Sequence, residues 1–159
     1  MSITEKDKEY MREAIRLADE SVKNGGGPFG AVIVRNGEIV AGSANSVTID
    51  NDPTAHAEVN TIRQACKKLG TFDLSDCVIY TSCEPCPMCL GAIYWARIKK
   101  IYYGNTKKDA ADINFADDFI YKELEQRKEK RFVPLISLLR NEALKTFRAW
   151  EEKQDKVEY

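Results

Sequence analysis

The chain carries a single histidine, His56, in 159 residues. Chemistry that needs an imidazole therefore has one address. There is no apolar run near the ~20 residues that a membrane-crossing helix requires. There is no excess of one charge either: 24 Lys and Arg face 25 Asp and Glu, a formal net charge of −1. That balance supplies no general field for nucleic acid or an anionic bilayer, so neither is expected as a partner. No Asn-x-Ser/Thr glycosylation acceptor occurs, and Met1-Ser2-Ile3-Thr4-Glu5-Lys6-Asp7 resembles neither a secretory nor a transit signal. The expected compartment is the cytoplasm. Internal repeats and low-complexity segments are also missing. Hydrophobic residues at 43% and charged residues at 31% exclude a disordered chain. This length predicts one domain, 1–159, able to bury roughly 70% of its unfolded surface.

The patterning alternates helix and strand. Tyr10, Met11, Ala14, Leu17, Ala18 and Val22 recur at helical steps, with Thr4 or Ser2 as cap. Gly25-Gly26-Gly27-Pro28 ends that helix. Phe29–Arg35 and Glu38–Ala44 read as strands joined at Asn36-Gly37, a pair that tolerates the positive φ of a type I′ turn. Pro53, capped by Asp52, predicts a helix carrying Val59, Ile62, Ala65, Cys66 and Leu69, stopped by Gly70. Cys77–Thr81 reads as a buried strand. Pro87 opens a nearly all-apolar helix through Ala96, expected to be buried. Lys100–Gly104 reads as the next strand. These units predict a three-layer α/β/α sandwich around a mixed five-stranded sheet with an antiparallel first hairpin. Beyond Gly104 the pattern weakens. Asp117–Leu124 reads as a short helix, and Lys122–Arg131 as a solvated charged stretch. Phe132–Leu138 reads as strand or helix, with Pro134 arguing for an edge. Leu139, Ala143, Phe147 and Trp150 form a helical stripe that must pack on something. Gly25-Gly26-Gly27-Pro28-Phe29-Gly30 satisfies G-x-G-x-x-G, but a helix precedes it and a strand comes after. It is therefore a helix stop and a close backbone approach, not a dinucleotide cradle.

Three of the five cysteines, Cys83, Cys86 and Cys89, lie within one short segment. With Pro87 at the first helical position, Cys86 caps the helix and Cys89 falls in its first turn. Both sulfurs then meet the positive end of the helix dipole, which favours thiolate. His56 lies at the start of the other crossover helix, and both starts belong at the carboxyl edge of the sheet. His56, Cys86 and Cys89 are thus the expected ligands of one Zn2+ per chain, with Cys83 a neighbour. Three protein ligands leave a fourth position for water, as catalytic zinc requires. Glu58 is the expected catalytic proton carrier. A closed structural zinc site would recruit Cys83 as fourth ligand, and an iron–sulfur cluster would need a fourth cysteine, for which only Cys77 is near in sequence. Cys66 and Cys77 are most simply small buried hydrophobes.

His56-Ala57-Glu58 with Pro85-Cys86-Pro87-Met88-Cys89 is the general H-x-E…P-C-x-x-C pattern of zinc-dependent nucleobase deaminases. The chain resembles the cytidine-deaminase-like superfamily at these residues. Gly27–Val34, Asn51–Glu58, Tyr80–Cys89, Gly91–Arg97, Phe119–Glu123 and terminal Glu158-Tyr159 are similar to the bacterial guanine deaminases. This resemblance implies hydrolytic deamination of a purine base, guanine, at C2 to give xanthine and ammonia. It implies that Asn45 hydrogen-bonds the purine, that Phe29 and Trp95 wall the ring, and that Asp117 and Tyr159 reach substrate. It also implies a homodimer in which a C-terminal arm, 115–159, is exchanged between subunits. Asp118 competes with Asp117, since Ala116-Asp117-Asp118 departs from the family pattern. Two other readings share the zinc residues: a tRNA adenosine deaminase, which needs a basic surface where this slightly acidic chain has no uninterrupted basic stretch in its C-terminal half, and a cytosine-like small-ring deaminase. A non-catalytic zinc-stabilised module would have no use for Glu58.

Overall fold

Helix α1 (Glu5–Lys23) starts where Thr4 and Asp7 cap each other: the Asp7 N–H donates to Thr4 Oγ1 at 3.1 Å, and the Thr4 N–H to Asp7 Oδ2 at 2.7 Å. Strands β1 (Gly30–Arg35) and β2 (Glu38–Ala44) form the expected hairpin. Asn36 and Gly37 both take positive φ, 51° and 79°. The computed structural model describes residues 2–159. After the short α2 (Val47–Asp50) come α3 (Ala57–Leu69), β3 (Cys77–Cys83), α4 (Pro87–Trp95), β4 (Ile101–Asn105) and α5 (Lys107–Asp112). The sheet order is β2-β1-β3-β4, with β1 antiparallel to both neighbours and β3 parallel to β4.

The two-residue period of the strands sorts side chains to two cores. On one face Ile33, Ile79, Ala65, Leu74, Ile93 and Ile98 cluster beneath α3 and α4. On the other, Val32, Val34 and Tyr80 pack against Tyr10 and Ala14 of α1. Tyr80 stacks on Tyr102 with centroids 4.8 Å apart, and its hydroxyl donates to Asp7. This is the three-layer α/β/α sandwich.

Three expectations need correction. The sheet has four strands, not five: Phe132–Leu138 is neither strand nor helix, and Pro134 lacks the N–H a ladder would need. The third helix starts at Ala57, not Pro53. Asp52 instead accepts from the Thr54 N–H at 2.8 Å in a local turn, and His56 becomes the cap. Helix α4 is not buried all round: Cys89 and Ile93 are, while Tyr94 and Trp95 are 74% and 70% exposed and line an open groove with Leu90 and Gly91. By its internal contacts the chain forms two compact units that meet at Asp117/Asp118.

The second unit contains α6 (Asp118–Glu125), a 3-10 turn (Lys128–Lys130) and α7 (Arg140–Glu152), none with a buried residue. Arg131 braces this unit through the carbonyls of Leu124 and Gln126. Phe132, Ile136 and Leu138 remain more than 80% exposed. Among the described residues no helix is long and apolar enough to cross a membrane.

Candidate metal centre

His56 stands at the N-cap of α3 in extended backbone, φ −72° and ψ 155°, so its ring leaves the chain at the helix mouth. Asn60 stiffens this approach by donating to the carbonyls of Ala44 and Ala55 and to Ser46 Oγ. Cys86 is the N-cap of α4 and Pro87 holds the first helical position. The Cys89 N–H points back to Cys86 Sγ at 3.5 Å. Both helices open at the carboxyl end of the parallel part of the sheet, which is how residues 30 positions apart come together.

His56 Nδ1 lies 3.6 Å from Cys86 Sγ and 3.5 Å from Cys89 Sγ. All three ligand atoms lie within 4.8 Å of one another. Tetrahedral zinc with Zn–N and Zn–S bonds of about 2.1 and 2.3 Å separates such atoms by about 3.6 Å, so the donor set fits the ion. Cys83 does not join them. Its thiol points to the Thr106 carbonyl at 3.8 Å, and burial pushes it up to about 11. The site therefore has three protein donors, as catalytic zinc requires, and not a closed set of four.

Charge in this cluster settles on Cys86. Hydrogen bonding from Cys89 and then from His56 holds its thiol down to about 4, against the opposing effect of burial. Sharing with Cys86, burial and the Glu58 charge push Cys89 upward, while the Cys86 contact raises His56. A divalent ion at the convergence reverses this competition and favours both sulfurs as thiolates.

Glu58 is only 6% exposed, in the first turn of α3. Its Oε1 accepts from Thr81 Oγ1 at 2.9 Å, and its Oε2 lies 3.2 Å from Cys89 Sγ. Burial raises its pKa, opposed by hydrogen bonds from its own backbone, Thr81 and Cys89. A carboxyl so placed is biased toward holding a proton next to the metal ligands.

Asn45 and Phe29 lie together at the mouth of the hairpin: the Asn45 N–H donates to the Phe29 carbonyl at 3.0 Å. Asn45 Oδ1 accepts from the Val47 N–H at 3.2 Å. The close backbone approach expected of the glycine run is real at Gly27, where a Cβ would stand 3.1 Å from Asn45 Oδ1. Phe29 meets Phe115 edge-on with centroids 5.1 Å apart. Asp117 is partly buried, which raises its pKa, and the nearby Cys86 and Glu84 charges act in the same sense. Asp118 instead pairs with Lys122 at 3.0 Å in α6. Trp95 ends α4, a nine-residue helix about 13 Å long, at the end opposite Cys86. Trp95 is 70% exposed. Tyr159 ends the second unit and is exposed.

Two residues escaped the sequence reading. Thr81 passed as an ordinary strand residue, and its only signal is a hydroxyl in an otherwise apolar row. For Phe115 the sequence offers one signal, an aromatic side chain two residues before the candidate acid Asp117.

A sandwich of this topology, with His-x-Glu at one helix mouth and Cys-x-x-Cys at the next, defines a zinc-binding deaminase domain. The chain belongs to that family: the model for the cytidine and deoxycytidylate deaminase zinc-binding region matches residues 4–105. It is 54% identical over 151 residues to a guanine deaminase of Bacillus subtilis, covering 94% of this chain and 97% of that one. The X-ray structure of guanine deaminase from Bacillus subtilis superposes with a TM-score of 0.93, at 51% identity and 99% coverage of both chains. A tRNA-specific adenosine deaminase of the same organism is 44% identical over 98 residues, covering 62% of this chain and 61% of that one. Zinc is the cofactor of the domain.

Proposed function

We propose that this protein is a zinc-dependent aminohydrolase that converts guanine to xanthine and ammonia in the cytoplasm. The observation that carries the reading is the buried Glu58 carboxyl, with Oε2 beside Cys89, next to three convergent donors and not four. His56 Nδ1, Cys86 Sγ and Cys89 Sγ hold the ion, which when bound supplies Lewis acidity and lowers the pKa of water. Glu58 takes a proton from the attacking water and returns protons to the ring and to the departing amine at C2. Asn45 offers Nδ2 to an acceptor on the purine edge. Phe29, held edge-on by Phe115, supplies a flat wall for the ring. Asp117 contributes a second carboxyl near Cys86, suited to a polar edge of the base.

A guanine deaminase is matched at 54% identity over 94% of the chain, and this identity supports the purine base over a nucleic acid. The tRNA-specific adenosine deaminases match less well, at 44% identity over 62% of the chain or 34% over 88% of it, and the net charge of −1 supplies no general field for RNA. Ammonia release from guanine, guanosine, cytosine, adenine and an adenosine-containing tRNA stem-loop tests the choice. Release from guanine alone is the expected result, and release from the stem-loop overturns it.

The proposed assembly is a homodimer in which the arm from residue 115 is exchanged, so that Tyr159 completes a partner's site. What supports it is the apolar load of that arm, none of it buried within its own unit. Trp95, exposed at the end of α4, is proposed as the second wall of the purine ring beside Phe29. Removing Lys156–Tyr159 is expected to cut guanine turnover while leaving the melting of the sheet domain unchanged. Unaltered turnover would retire Tyr159 as a site residue.

A further inference from the structure

Thr81 carries its hydroxyl where packing does not ask for one. Its neighbour on the same face of β3, Ile79, is fully buried with Ile33, Ala65 and Ile93. Thr81 itself is 1% exposed. A valine has nearly its shape and suits a strand at least as well. The hydroxyl lies 2.9 Å from Glu58 Oε1 and 3.0 Å from the Cys83 carbonyl oxygen. It has one proton to donate, and a carboxylate attracts that proton more strongly than a carbonyl does. The two Glu58 oxygens are therefore unlike. Oε1 is tied to the sheet, and Oε2 faces Cys89 and the metal ligands at 3.2 Å.

We propose that Thr81 is a positioning residue for the reaction: its hydroxyl anchors Oε1 of Glu58 and so aims Oε2 at the reacting centre. This rests on Glu58 being the proton carrier. The terminal carboxylate torsion is broad and nearly two-fold, so without an anchor the plane of the group turns and the proton donor loses its aim. Such a loss acts on the chemical step and spares the contacts that bind the base.

The test compares zinc-loaded Thr81→Val and Thr81→Ser with the unsubstituted protein. Thr81→Val is expected to lower kcat for guanine about 10- to 100-fold, the range for losing one hydrogen bond to a charged group, with KM changed less than about twofold. Zinc content is expected to stay at one ion per chain, and Thr81→Ser to recover kcat to within about threefold. A crystal structure of Thr81→Val is expected to show the Glu58 carboxylate rotated away from its position in the unsubstituted protein. An unchanged kcat in Thr81→Val, a Thr81→Ser variant no better than Thr81→Val, or an unmoved carboxylate overturns the proposal. Loss of zinc from Thr81→Val does so too, since the effect would then be structural. If the unsubstituted protein releases no ammonia from guanine, the proposed function fails, and the position of the carboxylate in the two crystal structures still decides the role of Thr81.

Discussion

Residues 1–117 bury an apolar core on both faces of a sheet, whereas the helices of residues 118–159 bury nothing. The contrast is not a want of apolar residues. The second unit holds Phe132, Val133, Leu135, Ile136, Leu138, Phe147 and Trp150, as apolar a set as the first possesses. It differs in having no sheet to lay them on: α6 and α7 each have an apolar stripe, but the segment between them makes no ladder. The first unit can satisfy its own hydrophobic surface and so can hold a site rigidly. The second leaves its apolar side chains exposed.

The sharpest challenge to this contrast is at Glu58. Glu58→Gln keeps the shape of the first unit and removes the proton carrier, so guanine turnover should fall about a thousandfold with zinc retained, measured by ammonia release and metal content. Loss of the ion in that variant would make Glu58 a ligand. Next is the core itself. Ile79→Ala should destabilise the sheet domain by about 3 kcal/mol in urea unfolding, because its neighbours on both sides are fixed. A change below about 1 kcal/mol would mean that the cluster is not close-packed. Smaller still is Ile136→Ser in the second unit. It is 84% exposed, so stability should move by no more than about 0.5 kcal/mol, while the proposed homodimer predicts a shift toward monomer in light scattering. A core-sized loss of stability would break the contrast. The smallest effect is confined to acid. Hydrogen bonds from Thr4 and then Tyr80 hold the Asp7 carboxyl down to about 2, against about 3.9 in an unfolded chain. Its contribution to stability is therefore complete above about pH 4 and disappears as the pH falls through 2. Asp7→Asn should flatten the stability profile in that window and leave it unchanged near neutrality.

What was legible in the sequence was local. Pro87 at a helix start fixes Cys86 as cap and Cys89 in the first turn, and both depend only on neighbours in the chain. Asn36-Gly37 prescribes its own turn for the same reason. Asp52-Pro53 misled because an Asp side chain can cap a turn as well as a helix, and the packing of the residues downstream decides between the two. The exposure of Tyr94 and Trp95 was illegible because a helix apolar all round does not say which side meets the sheet. Phe132–Leu138 has strand composition but no partner strand, and composition cannot provide one.

The sequence by itself determined the donor types, the spacing that puts each at a helix mouth, and the class of chemistry that one imidazole, two thiols and one carboxyl can perform. Only the tertiary structure decided that Cys83 turns away to Thr106, that Asp117 and not Asp118 shares the electrostatic surroundings of Cys86, and that Thr81 holds one oxygen of Glu58. The physical reason is separation along the chain. Thr81 and Glu58 are 23 residues apart, and Glu58 and Cys89 are 31 apart. Contacts at that range are set by how strands register and helices seat on a shared core, and no short stretch of residues encodes them.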